Sequence, residues 1–166
     1  SCLVGSEMCI RDSLNINKSK VKKIDASGVS IISSTPDIAN ARIEFENGCI
    51  ANLTSSRISL KKMRKTRIFQ DNAYISINFL EKDFQVVKIR DKHTNDNENS
   101  LVIKNNLGQE KVIFFENPKI NEINSIEAEL NDFFNSIKNK SESKISLHDG
   151  LMALEVAEEI MSQLWV

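Results

Sequence analysis

From Val21 onward, apolar residues recur first with the period of a strand and later with the period of a helix. Val21, Ile24, Val29, Ile31 and Ile32 stand among Lys and Ser up to a turn signal at Pro36-Asp37, which predicts an extended start. The segment from Ala41 to Glu46 alternates strictly, and Asn47-Gly48 tolerates the positive φ values of a type I′ turn, so the chain is expected to double back from Cys49 to Arg57 as a hairpin. A two-residue loop there pairs Glu46 with Cys49, Phe45 with Ile50 and Ile43 with Asn52. One face then carries Ala41, Ile43, Phe45 and Ile50, and the other carries Arg42, Glu44, Ala51 and Leu53. A solvated face of an antiparallel sheet is normally polar, so Ala51 and Leu53 on that second face predict something that covers it.

The meander continues through residues 66–70, a turn at Asp71-Asn72, and residues 74–80 and 84–90. The stretch 91–100 has no apolar residue and reads as a solvated loop. Residues 101–104 and 111–116 are further strands around a turn at 105–109, and Val112-Ile113-Phe114-Phe115, apolar at consecutive positions, is expected to be buried on both faces. The period then changes. Ile123, Ile126, Leu130, Phe133, Phe134 and Ile137 form one helical stripe behind a capping-box-like Asn124-Ser125-Ile126-Glu127. A second helix opens at Ser146 to Asp149 and runs to about Gln163, with Leu147, Leu151, Leu154, Ala157, Met161 and Leu164 expected inward. Strands followed by helices predict an α+β domain: one large, mainly antiparallel open-faced sheet with two C-terminal helices packed on one face.

Composition narrows the class. The chain has 166 residues, 40% of them apolar and 27% charged. A chain of this size buries roughly 70% of its unfolded surface, so a core forms without metal or disulfide help. Twenty-two basic and 23 acidic residues give a net charge of -1, so no global field draws it to nucleic acid or to an anionic membrane. Three cysteines, at positions 2, 9 and 49, make neither a metal spacing nor an even disulfide set, which fits a reducing, cytoplasmic setting. No apolar run approaches the ~18 residues of a membrane span. Residues 1–13 (SCLVGSEMCIRDS) show no period, differ in composition from the rest of the chain and resemble translated adapter read-through. They are expected to be a non-native or disordered tail, with the domain proper over 14–166 and part of the gene lying further upstream.

The inventory of reactive side chains is thin. His93 sits in the polar loop and His148 in the first turn of a helix, both ordinary surface positions, so no Ser-His-Asp or Cys-His constellation can be assembled. No spacing of His, Cys and Asp presents three ligands to a metal, and neither Gly-x-Gly-x-x-Gly nor a phosphate-binding loop occurs. Glu44 and Glu46 face one way on a strand without a cleft argument and read as solvent-side residues. One local feature breaks the neutral background: Arg57, Lys61, Lys62, Arg64, Lys65 and Arg67 crowd together, with no acidic residue between Gly48 and Gln70. The cluster is either a solvated basic connection or a set of groups that hold an anionic ligand through Arg forks and Lys point charges. Base-stacking aromatics are not interleaved with it, which argues against nucleic acid.

Several separated segments resemble the C-terminal domain of the Gfo/Idh/MocA oxidoreductases, the glucose-fructose oxidoreductase and inositol dehydrogenase family. They are residues 35–57 (TPDIANARIEFENGCIANLTSSR), 65–79 (KTRIFQDNAYISINF) and 146–160 (SLHDGLMALEVAEEI), and the similarity runs over essentially everything from Leu14. The resemblance implies a substrate-binding and oligomerisation domain of an NAD(P)-dependent enzyme acting on a sugar, cyclitol or nucleotide sugar. It also implies a missing N-terminal Rossmann domain as partner for NAD or NADP; the Gly-rich cofactor loop, the catalytic Lys of the family's Glu-Lys-Pro motif and the His of the segment that precedes the sheet would all lie upstream of Leu14, leaving this fragment inactive. Glu81-Lys82 is followed by Asp83 and is not that motif. The Ser56-Arg57 ending matches the family, so Arg57, with Lys61 and Arg64, is the expected substrate-side group. A non-enzymatic sheet module used for dimerisation is the alternative.

Overall fold

The computed structural model describes residues 7–91, 100–104, 108, 110–118, 120 and 124–164. The expected loop containing His93 lies outside them. The described residues form an α+β arrangement that divides into two compact units, Ser1–Leu60 with Asn124–Val166, and Lys61–Ile123.

The first unit is a three-stranded antiparallel sheet, β1 (Val21–Val29), β2 (Ile38–Phe45) and β3 (Ile50–Ser56), in the order β1-β2-β3, with helices α1 (Glu7–Asn17), α2 (Ser125–Asn139) and α3 (Leu147–Leu164). α1 and α3 pack on each other, α3 packs on β1 and α1 touches β3. Ile24, Ala41, Ile43 and Phe45 from the sheet meet Ile10 from α1 and Ala153, Val156, Ala157 and Ile160 from α3 in one core. Part of the expected tail is thus inside the fold: residues 7–13 are helical and Ile10 is fully buried.

The hairpin lies where the alternation predicts it, but its register differs by one residue. Gly48 has φ +85°, its N–H donates to Phe45 O (3.0 Å), and Phe45 N–H donates to Cys49 O (3.0 Å). These bonds close a three-residue loop with glycine in the left-handed region. Ile43 therefore pairs with Ala51 and Ala41 with Leu53, and both partners join the core side. A slip of one residue moves a strand's side chains to the other face. The outer face is polar instead: Asn40 pairs with Thr54 and Arg42 with Asn52, joined by Thr54 Oγ1 to Asn40 Oδ1 (2.9 Å) and Arg42 Nη1 to Asn52 Oδ1 (3.4 Å). Ile50 and, at the far end, Val29 paired with Ile38 are apolar residues on that face.

β1 is an edge strand, and α3 closes that edge. Gln163 Oε1 accepts from Ala26 N–H at 2.7 Å, and its Nε2 donates to Ile24 O at 2.9 Å, satisfying two ladder groups that have no strand neighbour. Both C-terminal helices start as expected. Asn124 Oδ1 accepts from Ile126 and Glu127 N–H, and Ser146 and Asp149 cap each other, with Asp149 N–H to Ser146 Oγ at 3.2 Å and Ser146 N–H to Asp149 Oδ2 at 2.8 Å. Their inward faces agree only in part with the expected ones. α3 turns Ala157, Met161 and Leu164 to the core as expected, but joins to them Ala153, Val156 and Ile160 and leaves Leu147, Leu151 and Leu154 exposed. α2 buries no residue, and its stripe from Ile126 to Ile137 is exposed.

The second unit is a separate five-stranded antiparallel sheet, so the strands make two sheets rather than one. It comprises β4 (Lys65–Gln70), β5 (Ala73–Asn78), β6 (Asp83–Asp91), β7 (Ser100–Lys104) and β8 (Glu110–Glu116), ordered β4-β5-β6-β8-β7. The register puts Ile68, Ile75, Ile77, Phe84, Val86, Val112 and Phe114 on one face. The other carries Phe69, Tyr74, Val87, Ile89, Ile113, Phe115 and Leu101. The run at 112–115 is not buried on both sides: Val112 is fully buried and Phe115 is 59% exposed.

Candidate functional site

The basic cluster is spread over both units. Arg57, just past the end of β3, belongs to the first, and Lys61 and Arg64 belong to the second. Each has its own partners.

Arg57 serves a buried carboxylate. After β1, residues 30–36 leave the sheet and return to β2 through Asp37, whose side chain is 1% exposed. Asp37 Oδ2 accepts from the N–H groups of Ile31 (2.7 Å), Ile32 (2.7 Å) and Ser33 (3.2 Å), and Oδ1 accepts from Ser33 Oγ (2.9 Å). Arg57 Nε lies 2.9 Å from the same Oδ1. Its Nη2 donates to Pro36 O (2.9 Å), Thr35 O (3.3 Å) and Thr35 Oγ1. Two backbone bonds finish the joint, Asp37 N–H to Val29 O (2.8 Å) and Arg57 N–H to Asp37 O (3.0 Å). The N–H groups of Ile32 and Ile31 hold the Asp37 carboxyl well below the usual carboxylate range, with Ser33 adding to them and burial opposing. The guanidinium thus orders the 30–36 loop while 38% of its side-chain surface stays accessible. This loop holds Ile31 and Ile32, expected in the first strand, at 60% and 80% exposure.

In the second unit Lys61 is exposed and its ammonium lies 4.0 Å from Glu81 Oε1, a distance at which a solvated pair contributes little. Arg64 is half-buried. Its guanidinium carbon sits 5.3 Å from the centre of the Phe79 ring, and its carbonyl accepts from Phe79 N–H at 2.9 Å, so ring and backbone fix its position. His148 is exposed at the start of α3. Among the described residues no group of three His, Cys, Asp or Glu side chains could hold a metal ion. All the strand pairings are antiparallel, so the described residues contain no parallel βαβ unit, and a dinucleotide has no Rossmann-type seat in them. No helix among them is long and apolar enough to cross a membrane.

Two features do not stand out in the sequence. The Asp37 joint has a readable signal, an acidic residue between Ser33-Ser34-Thr35-Pro36 and a distant Arg, but nothing in the local pattern links Asp37 to Arg57. The second is a groove of about 500 Å³ on the five-stranded sheet, lined by Gln70, Asn72, Lys88, Arg90, Phe114 and Glu116 among others. Its residues alternate on β6 and β8, and only the strand order brings them together.

The fold is that of a domain of Gfo/Idh/MocA-type oxidoreductases. The solved UDP-N-acetylglucosamine 3-dehydrogenase of Acidithiobacillus ferrooxidans superposes with a TM-score of 0.80 at 21% identity, over 95% of this chain and 46% of that one. A levoglucosan dehydrogenase in complex with NADH and levoglucosan gives 0.66 at 15% identity, over 93% and 47%. In sequence, the Acidithiobacillus enzyme is 33% identical over 63 residues, 38% of this chain and 20% of that protein. No protein-family model matches the chain. The chain spans about half the length of the solved structures it resembles.

Proposed function

We propose that this chain is the substrate-binding and oligomerisation half of an NAD(P)-dependent oxidoreductase that acts on a sugar, a cyclitol or a nucleotide sugar. The cofactor and the reacting groups belong to a Rossmann domain elsewhere in the whole protein, and this chain, with its N-terminal helix α1 packed into the core, forms the domain that orients the substrate against it. The observation that carries this reading is the fold correspondence, nearly all of this chain against slightly under half of each dehydrogenase. The accessible part of Arg57 in the first unit and Lys61 and Arg64 in the second are each taken as a cation available to the substrate. Oligomerisation uses the sheet face on which Phe69 (75% exposed), Leu101 (55%) and Phe115 (59%) stand open, an apolar surface of the kind that marks an interface.

Two measurements test this. Titrating the 166-residue chain with NADH and NADPH, followed by nicotinamide fluorescence, should give no saturable binding, and micromolar affinity would contradict the assignment of the cofactor site. The product of the longer reading frame should change absorbance at 340 nm with NAD or NADP and a sugar-type substrate. Absence of turnover across free sugars, cyclitols and nucleotide sugars would remove the enzymatic reading.

A further inference from the structure

We infer that the outward stripe of α2 pairs with the same stripe of a second copy of this chain, the two helices running antiparallel. α2 is held from its other side. Asp132 Oδ2 accepts from Lys144 N–H at 3.1 Å, and Lys144 Nζ lies 3.5 Å from Oδ1, so the connection to α3 grips the polar face. The helix closes on Lys140, whose φ of 51° lets Ser141 N–H reach Ser136 O at 3.0 Å. Ile126, Leu130, Phe133, Phe134 and Ile137 are left between 61% and 69% exposed. A lone helix of 15 residues is marginal in water, and most helical stability comes from covering an amphipathic face, so this stripe needs a partner.

The spacing indicates which partner. Ile126, Leu130, Phe133 and Ile137 are separated by four, three and four residues, the spacing of a coiled-coil seam, and these steps are the same read from either end. A two-fold axis between Leu130 and Phe133 therefore sets Ile126 of one copy opposite Ile137 of the other, and Leu130 opposite Phe133, with Phe134 closing the flank. Charge agrees with this orientation. Glu127 in the first turn and Lys138 in the last lie on the same flank of the stripe. Reversal brings Glu127 of one copy within about 3 Å, along the axis, of Lys138 of the other, whereas a parallel pair leaves them about 16 Å apart. Two helices of this length meet over an area at or below the ~1,200 Å² that divides transient from stable interfaces, so the pairing is weak. The inference rests neither on the oxidoreductase reading nor on association through the five-stranded sheet.

The test is sedimentation equilibrium of the 166-residue chain carrying Phe115→Ser, which weakens the association proposed for the five-stranded sheet. It should show a monomer–dimer equilibrium with a dissociation constant of about 10–100 µM. Leu130→Ser and Phe133→Ser, both at exposed positions, should leave the circular dichroism of a folded chain and each weaken the dimer at least about tenfold. Glu127→Lys should weaken it about fivefold, and Lys138→Glu added to the same chain should restore it to within about twofold. A folded chain that stays monomeric to ~1 mM would overturn the pairing, and a dimer indifferent to both serine variants would overturn the stripe as its seat. Weakening by Glu127→Lys with no recovery from Lys138→Glu would overturn the antiparallel order. Should the α2 amides of the longer product be protected from hydrogen exchange while that protein is monomeric, another part of its own chain covers the stripe, and the second copy is overturned. None of these readouts involves turnover, so failure here and failure of the oxidoreductase reading are separable.

Discussion

The three-stranded and five-stranded sheets are made from similar alternating strands, yet they reach different ends. In the first, one face is apolar and two helices cover it, and the other is a polar surface of cross-strand pairs. In the second, both faces carry large apolar side chains, and none of the described helices lies within the unit. Among the described residues, ten of the twelve buried apolar ones belong to the first unit, and Val86 and Val112 to the second. Strand pairing alone therefore does not make a core. A sheet needs a second layer against each apolar face, and the open surface of the five-stranded sheet is where a partner is expected to act.

The largest effect that sharpens this contrast is Phe45→Ala. Phe45 is 1% exposed, and removing a buried phenyl ring costs about 3–5 kcal/mol, a large part of a small unit's stability. Thermal denaturation should show the first unit losing its transition, and a loss below about 1 kcal/mol would mean the core described here does not hold it.

Asp37 comes next. Its folded-state titration is depressed, so the stability it contributes is present above the unfolded value of about 4 and lost as pH falls through that range. Asp37→Asn should lower the melting temperature by about 5–10 °C at neutral pH, since it removes acceptor capacity from a buried site with five donors. The variant should also be less sensitive to acid between about pH 5 and 2 than the wild type. Parallel acid profiles for the two proteins would show that the joint carries no weight.

Gly28→Ala is smaller. A Cβ there would stand 3.0 Å from Leu164 Cδ2, 3.1 Å from Pro36 Cβ and 3.2 Å from Ile38 O, so these neighbours must give by a few tenths of an ångström, the backbone carbonyl of Ile38 least easily. The expected cost is about 1–2 kcal/mol by urea denaturation. At the bottom of the scale, Phe115→Ser on the five-stranded sheet should change the stability of the isolated chain by less than about 0.5 kcal/mol, while reducing self-association in sedimentation experiments. A cost comparable with Phe45→Ala would show that Phe115 belongs to a core.

Most of the strands and both C-terminal helices are legible in the sequence, because period two, period 3.6 and the caps are local signals. The differences are non-local. Asn47-Gly48 marks a hairpin, but the choice between two and three loop residues is settled by matching Ala51 and Leu53 to the core side of Ala41 and Ile43. That match removes the half-apolar outer face expected of this hairpin, and the open apolar surface lies on the other sheet. The inward stripe of α3 is legible only in its second half, where Ala157, Met161 and Leu164 read correctly; in the first half the large Leu147, Leu151 and Leu154 stand out over Ala153 and Val156, which face the core. At the candidate site, the basic cluster is visible as composition, but Arg57 acts on Asp37 twenty residues earlier in the chain, a partnership that only the β2–β3 pairing creates. Arg90 and Phe114 likewise meet only through the β6–β8 register.

Native-state hydrogen exchange on the 166-residue chain tests the contrast between the two sheets most directly. Amides in the ladders of β1 to β3 should exchange only through full opening of their unit, and those of β4 to β8 at least about tenfold faster, corresponding to about 1.4 kcal/mol or more of opening free energy. Equal protection across both sheets would contradict the claim that only the first closes its own core.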